Sequence, residues 1–400
     1  MSMRILLSVA VAAVLLVSPV AAQEFPLQYR GAADPLHGQL VRTATFWATM
    51  LKGKPDGITG EPSGLTKGAF YCSVRGASTS SFVMLLDPAR VPGLYVDANG
   101  NGDLSDEQKI SGTLASSRPG MLSGMSAAVF GPVSLPMPGG ENAPVKFMVE
   151  VYDKGLVLVY PAGAMVGQVR TEERTYAVAL LDANLNGRYG DVWQGKAGYD
   201  FLCVDASGNG RFESAEFLTG EVFPLPRMIQ LGTTYYNVAV AQDGSSLTIE
   251  KANPAFGGID VGDVGARLVL LSGNGSYGLS GNSGKWELPV GQYLVAYVGV
   301  NKSDGAATWT VEGYAGSKPF TFDVAEGETT KVKLGPPFKV KIDVAKYQDA
   351  VSVGLSGLEG QAGELYSVAA KKNNITVAPP KVKVIGASGE TLASSGFEYG

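Results

Sequence analysis

The chain has 400 residues, 32 of them basic and 37 acidic, and its formal net charge of −5 includes no run of lysine or arginine long enough to follow a phosphate backbone, which argues against nucleic acid as a partner. With 53 glycines and 22 prolines the sequence describes many short elements joined by turns, and its length predicts two to four domains. A single histidine, His37, and no His-Glu-x-x-His exclude a multi-histidine zinc centre.

Residues 5–17 form a mostly apolar run behind Arg4, and Ala21 and Ala22 follow as small residues before Gln23. This pattern predicts a secretory signal peptide over 1–22 and an exported protein, secreted, periplasmic or at the cell surface; an uncleaved anchor is the alternative. The run is too short to span a bilayer, and no later apolar stretch reaches the length of a membrane helix, so no stable membrane span is expected. Export permits a disulfide between Cys72 and Cys203, while two separate buried thiols fit equally well. Residues 23–62 read as an N-terminal helical and linker segment, in which Leu40, Ala44, Trp47 and Leu51 recur at helical spacing and predict an amphipathic helix over 39–52.

From Phe70 the texture changes to short β-rich runs at 81–86, 145–152 and 156–160, the last two joined by an Asp-Lys-Gly turn, with a loop over 131–144. The expectation is a mainly β chain, with an antiparallel domain over 63–260. Three apolar runs in this region end in aspartate and continue into Asp-Ala-(Asn or Ser)-x-Asn-Gly, at Asp97, Asp182 and Asp205. Calcium takes six to eight oxygens, and a twelve-residue loop with oxygens at alternate positions supplies them. The third loop carries Asp205, Ser207 and Asn209 at positions 1, 3 and 5, the Arg211 carbonyl at 7, Glu213 at 9 and Glu216 at 12. A plain Asn209-Gly210 hairpin turn is the competing reading. The first loop offers Asp97, Asn99, Asn101, the Asp103 carbonyl and Ser105, but ends in Gln108, with Glu107 one residue early. The second has Asp182, Asn184, Asn186 and the Arg188 carbonyl, then Gly190 at 9 and Trp193 at 12, so that Asp191 would have to move in or Asp200 reach across.

These loops resemble the EF-hand calcium loop, and the chain is similar in general build to uncharacterised secreted bacterial β-rich proteins with such loops. The resemblance implies Ca2+ as the bound cofactor; the asparagine-rich shells suit millimolar extracellular calcium and a structural role. Asp182 and Asp205 stand too close in sequence to leave room for an exiting and an entering helix, so the unit is strand, loop, then strand or a short helical turn, the latter expected over 214–218. Leu104, Tyr189 and Phe212 at position 8 are placed for a short β-bridge.

Residues 261–335 alternate apolar runs and turns at sandwich spacing, and the stretch 286–293, Trp-Glu-Leu-Pro-Val-Gly-Gln-Tyr, resembles a turn of carboxypeptidase regulatory-like or transthyretin-like sandwich modules. After Pro336-Pro337, residues 336–400 read as a second sandwich, short or truncated. Lys-x-Lys pairs at 331/333, 339/341 and 381/383 read as protection against edge pairing. The expected function is that of a calcium-stiffened exported protein serving display, adhesion or assembly, with calcium and an extracellular polysaccharide or surface protein as partners. One alternative is polysaccharide binding or carboxylate-dependent glycoside cleavage, with Tyr235, Tyr236, Trp286, Tyr293, Tyr297 and Trp309 as an aromatic platform. Another is a subunit of an extracellular filament or surface layer.

Overall fold

A computed structural model describes residues 22–397 apart from 32–39, 41–43, 76–80, 116–126, 136–143, 153–155, 197, 213, 216–218, 263–264, 282–283, 315–319 and 348–349. Residues 1–21 of the expected signal peptide, His37, Glu213 and Glu216 therefore lie outside the described residues. The described residues are mainly β, in sheets that are antiparallel apart from the parallel pairing of Phe256–Asp260 with Thr329–Lys331, and none of their helices is long and apolar enough to cross a membrane.

Of the helix expected over 39–52, Leu40 is helical, but two short strands stand over 46–50. Phe46–Trp47 pairs with Val157–Pro161, and Thr49–Met50 pairs with Phe70–Arg75. The physical reason is a two-residue alternation that the helical spacing masks. Phe46 and Ala48 face a core, whereas Trp47, 65 % exposed, and Thr49 face away from it. The four positions that suggested a helix do not share one face: Leu40 and Ala44 pack against one cluster and Leu51 against another.

Those two strands sit in two five-stranded sheets that pack face to face. One runs through Thr49–Met50, Phe70–Arg75, Ser81–Asp87, Gly93–Val96 and Ile110–Ser111, the other through Phe46–Trp47, Val157–Pro161, Val145–Tyr152, Ala127–Leu135 and Thr113–Ala115. Cys72, Val74, Met84 and Leu94 from the first meet Phe130, Phe147, Val149 and Val159 from the second in a common core. Cys203 belongs to a different cluster, and both thiols are free and buried.

An eight-stranded sheet follows, in the order Val222–Pro224, Phe201–Val204, Thr175–Leu181, Gly163–Arg170, Gln23–Gly31, Ser246–Ala252, Thr234–Val240, Met228–Leu231. Residues 23–31, read as linker, are a strand near its centre, paired with Gly163–Arg170 and Ser246–Ala252. Leu202 and Val204 near one end share a cluster with Ile229, Leu231 and Tyr236 near the other, so the sheet curls around its own core.

Beyond residue 256 a three-stranded sheet packs on a ten-stranded one, with Ile259 and Leu288 against Leu268, Leu270, Val295 and Val298. Tyr366 is fully buried in the same core, and Gly313 pairs with it across the sheet. The boundary expected at 336 therefore falls inside one sandwich. Residues 338–372 complete its core because Phe338, Leu358 and Tyr366 supply apolar faces that it lacks without them. Lys381–Ile385 and Thr391–Gly396 form a separate exposed hairpin.

Candidate metal centre

Each loop leaves the end of a buried strand: Gly93–Val96, Thr175–Leu181 and Phe201–Val204. The three then close in the same way. The position-1 aspartate accepts the N–H groups of positions 5 and 6: Asp97 from Asn101 and Gly102 (3.1 and 3.0 Å), Asp182 from Asn186 and Gly187 (3.0 and 2.8 Å), Asp205 from Asn209 and Gly210 (3.1 and 2.8 Å). The position-5 asparagine Oδ1 accepts the N–H of position 7, at 2.6 Å from Asp103 and 2.8 Å from Arg188 and Arg211. Position 6 is glycine with φ of 76°, 75° and 77° in turn, the left-handed conformation that such a turn requires. Position 4 is also left-handed, at Gly100, Leu185 and Gly208. Leu185 adopts it against the preference of a branched side chain and is held by burial in the core of the first sandwich.

The position-8 residues anchor the loops. Leu104 packs with Tyr71, Leu85 and Tyr95, Tyr189 against the core of the eight-stranded sheet, and Phe212 with Leu181 and Cys203. The expected bridges form with other segments: Leu104 N–H donates to Gly60 O, and Tyr189 N–H to Gln242 O. The short helical turn expected over 214–218 is instead the arm of a hairpin, with Ser214–Ala215 pairing antiparallel with Thr219–Gly220.

Around these cradles the acids differ. In the first loop Asp106 Oδ2 accepts the side-chain amides of Asn99 (3.2 Å) and Asn101 (2.9 Å), and Glu107 accepts the N–H of Ala98 at 2.7 Å. Glu107 thus folds back onto the start of the loop, whereas Gln108 is exposed, and Ser105 turns its hydroxyl onto Asp103. In the second loop Asp191 Oδ2 accepts the amides of Asn184 (2.8 Å) and Asn186 (2.5 Å), so Asp191 does move in. Asp200 also reaches across: its Oδ1 accepts Ala183 N–H and its Oδ2 Asp191 N–H. The register explains this, because Leu181 pairs with Phe201 and so sets Asp182 opposite Asp200 on the antiparallel neighbour. By the same logic Glu221 precedes Val222, the partner of Cys203, and its carboxylate accepts Ser207 N–H at 2.6 Å in the third loop. Glu221 was not singled out from sequence, since only the strand register brings it beside Asp205.

Burial separates the second loop from the others. Asp182, Asn184, Asn186 and Asp200 are all buried, Asp200 completely. Desolvation drives the Asp182 carboxyl up to about 7 against the pull of its backbone hydrogen bonds, and desolvation followed by the Asp182 charge drives Asp200 up to about 9. Asp205 goes the other way: burial raises it, but its backbone and Ser207 hydrogen bonds outweigh that and hold it below the usual carboxylate range. Asn184, 1 % exposed, keeps its Oδ1 without a hydrogen-bond partner, the one such buried side-chain atom among the described residues.

Among the described residues no three His, Cys, Asp or Glu side chains converge at metal-ligand spacing. The donor set at the second loop is instead mixed, carboxylate with amide and carbonyl oxygen, which is hard-cation chemistry and fits calcium better than a softer metal. The aromatic platform is dispersed: Tyr236, Tyr293 and Tyr297 are buried in three different clusters. Comparison with family models, with curated proteins and with solved structures finds no match to this chain.

Proposed function

We propose that the protein is exported and that calcium, bound at its EF-hand-like loops, stiffens a β-rich scaffold used for display, adhesion or extracellular assembly. The observation that carries this reading is the threefold recurrence of one cradle, in which an aspartate at position 1 and oxygen-bearing side chains at 3 and 5 surround a left-handed turn at a strand end. A bare hairpin turn needs none of those side chains. Loops held this way join strands to strands, so occupancy rigidifies a sheet and does not swing a helix. Calcium titration followed by thermal unfolding tests it: melting should rise between chelator and a few millimolar calcium, and an unchanged transition would sink the reading.

Assembly is favoured over sugar cleavage by one feature. Lys339–Tyr347 is a nine-residue edge strand whose outer side has no partner among the described residues, and Val340, Ile342 and Val344 are exposed along it. An exposed edge of this kind is a template for strand addition. The flanking Lys339 and Lys341 oppose it only in part. Sedimentation of wild type against Ile342→Lys tests the point; loss of self-association in the variant supports assembly through this edge, and a monomeric wild type rejects it.

A further inference from the structure

Two cavities adjoin where the eight-stranded sheet meets the C-terminal sandwich. The larger, about 660 Å³, lies between Gln230 and Tyr235 of the strands Met228–Leu231 and Thr234–Val240 and Tyr277 of the strand Gly275–Gly281. The smaller, about 460 Å³, runs over Phe256–Asp260 and its neighbour Lys285–Pro289 to the turn at Gly327 and Glu328. Glu287 lines both, and the Tyr235 ring of the first meets the Phe256 ring of the second edge-on at 5.6 Å. The two therefore make one groove that starts at the seam and continues onto the face of the sandwich. Across the seam, Arg227 N–H donates to Gly273 O at 2.8 Å.

Strand register explains the shape. Successive residues of a strand point to opposite faces, so Phe256, Gly258 and Asp260 share the outer face of the three-stranded sheet while Ile259 enters the core. Gly258 stands between Glu287 on one neighbouring strand and Thr329 on the other, and it has no side chain to fill the gap. The sheet face is notched there, between the Phe256 ring and a paired charge, Asp260, which faces Lys285 across 3.8 Å.

The lining combines rings with acceptors. Tyr235 and Tyr277 are half-buried and Phe256 is 38 % exposed, so three rings border the groove. Tyr277 is held by its hydroxyl, which donates to Asn274 O at 2.8 Å, and by edge contact with Tyr293. Among the described residues the Glu287 and Glu328 carboxylates and the Tyr235 hydroxyl have no hydrogen bond or ion pair. Lys285 is the one cation among the described lining residues, and it faces Asp260. An anionic ligand would meet two carboxylates here with no unpaired cation to hold it. A neutral sugar suits both kinds of lining group. The weakly positive C–H bonds on its faces lie against the negative faces of aromatic rings, and the hydroxyls on its rim donate to carboxylates.

We propose that this groove binds an uncharged glycan, whose sugar rings rest on Tyr235, Phe256 and Tyr277 and whose hydroxyls donate to Glu287 and Glu328. Tyr235 belongs to the eight-stranded sheet and the other four to the sandwich, so the bound glycan ties the two together. No residue of the three aspartate loops lines the groove, and the inference stands whether or not those loops take calcium.

Isothermal titration calorimetry of the full chain tests it. The probes are neutral oligosaccharides of glucose, mannose, galactose and xylose, an oligogalacturonate as the anionic counterpart, and a short uncharged peptide that could enter as an added strand. The expected result is binding of at least one neutral oligosaccharide, insensitive to salt because no ion pair forms, and of neither other probe. Tyr235→Ala and Glu287→Gln should each weaken it about tenfold or more, while Trp309→Ala, at an exposed ring outside the groove, should leave it unchanged. Glu287 is exposed, so Glu287→Gln keeps the fold and decides the matter even where Tyr235→Ala loosens the seam. Silence of every neutral oligosaccharide, or binding of the uronate or the peptide in their place, overturns the proposal. Binding of a neutral oligosaccharide that survives Glu287→Gln, or is lost in Trp309→Ala, overturns it as well, because the site then lies elsewhere.

Discussion

The buried pair Asp182 and Asp200 gives the calcium-free protein an unusual dependence on pH. Both folded-state values are raised, to about 7 and about 9, above the ordinary 3.8. A raised carboxyl binds its proton more tightly when folded than when unfolded, so its contribution to stability is present at low pH and is lost as pH rises toward the folded value. Each such group changes stability by ~1.4 kcal/mol per pH unit inside its window. Between pH 5 and pH 8 Asp200 acts throughout and Asp182 over the lower part, which sets an upper bound of roughly 7 kcal/mol. The two share their interaction, and water and relaxation soften burial, so a fall of about 3 kcal/mol is the working expectation. Urea unfolding in chelator at pH 5, 6.5 and 8, followed by Trp193 emission, measures it. With calcium saturating, the ligated carboxylates are ionised in the folded state and the fall should vanish; Asp200→Asn should reduce it without calcium to the share that Asp182 carries. Stability in chelator that stays level or rises from pH 5 to pH 8 would refute the reasoning.

Leu185→Ala removes a side chain buried in the core of the first sandwich while leaving an alanine in the left-handed region, so a loss of about 2–4 kcal/mol is expected by urea unfolding. Cys72 and Cys203 should resist an aromatic disulfide reagent in the folded protein and both react once it is unfolded. Burial pushes the Cys72 thiol up to about 12 and Cys203 higher, and neither has a sulfur partner. Glu221→Gln keeps the shape but lowers the acceptor charge facing Ser207 N–H, and should cost about 1 kcal/mol in chelator, read as a lowered melting temperature.

The strands were legible where alternation or a continuous apolar run stands alone. Val145–Tyr152 has the bounds that its residues suggest. Residues 39–52 were not, because Leu40, Ala44, Trp47 and Leu51 imitate a helical stripe, while Phe46 and Ala48, which carry the actual core contacts, lie between them. The division at Pro336-Pro337 failed for a related reason. A proline pair marks a stiff turn, but whether the chain leaves the domain there depends on where Tyr366 packs, and that contact is long-range.

The loops show the same limit at the level of chemistry. Positions 1, 3, 5 and 6 are local, and the cradle they form is readable residue by residue. The acids that complete each loop are not local to the pattern: Glu107 sits one residue early, Asp200 enters through the pairing of Leu181 with Phe201, and Glu221 through that of Val222 with Cys203. A ranking by twelve-residue spacing therefore favours the third loop, whose Asp205 is already satisfied by four hydrogen bonds and pulled toward ionisation. A ranking by unmet electrostatic need reverses the order. The second loop holds two buried carboxyls whose proton affinity desolvation raises, and an amide oxygen without a donor. Sheet register converts sequence-distant acids into neighbours of each loop, and a twelve-residue spacing does not carry that information.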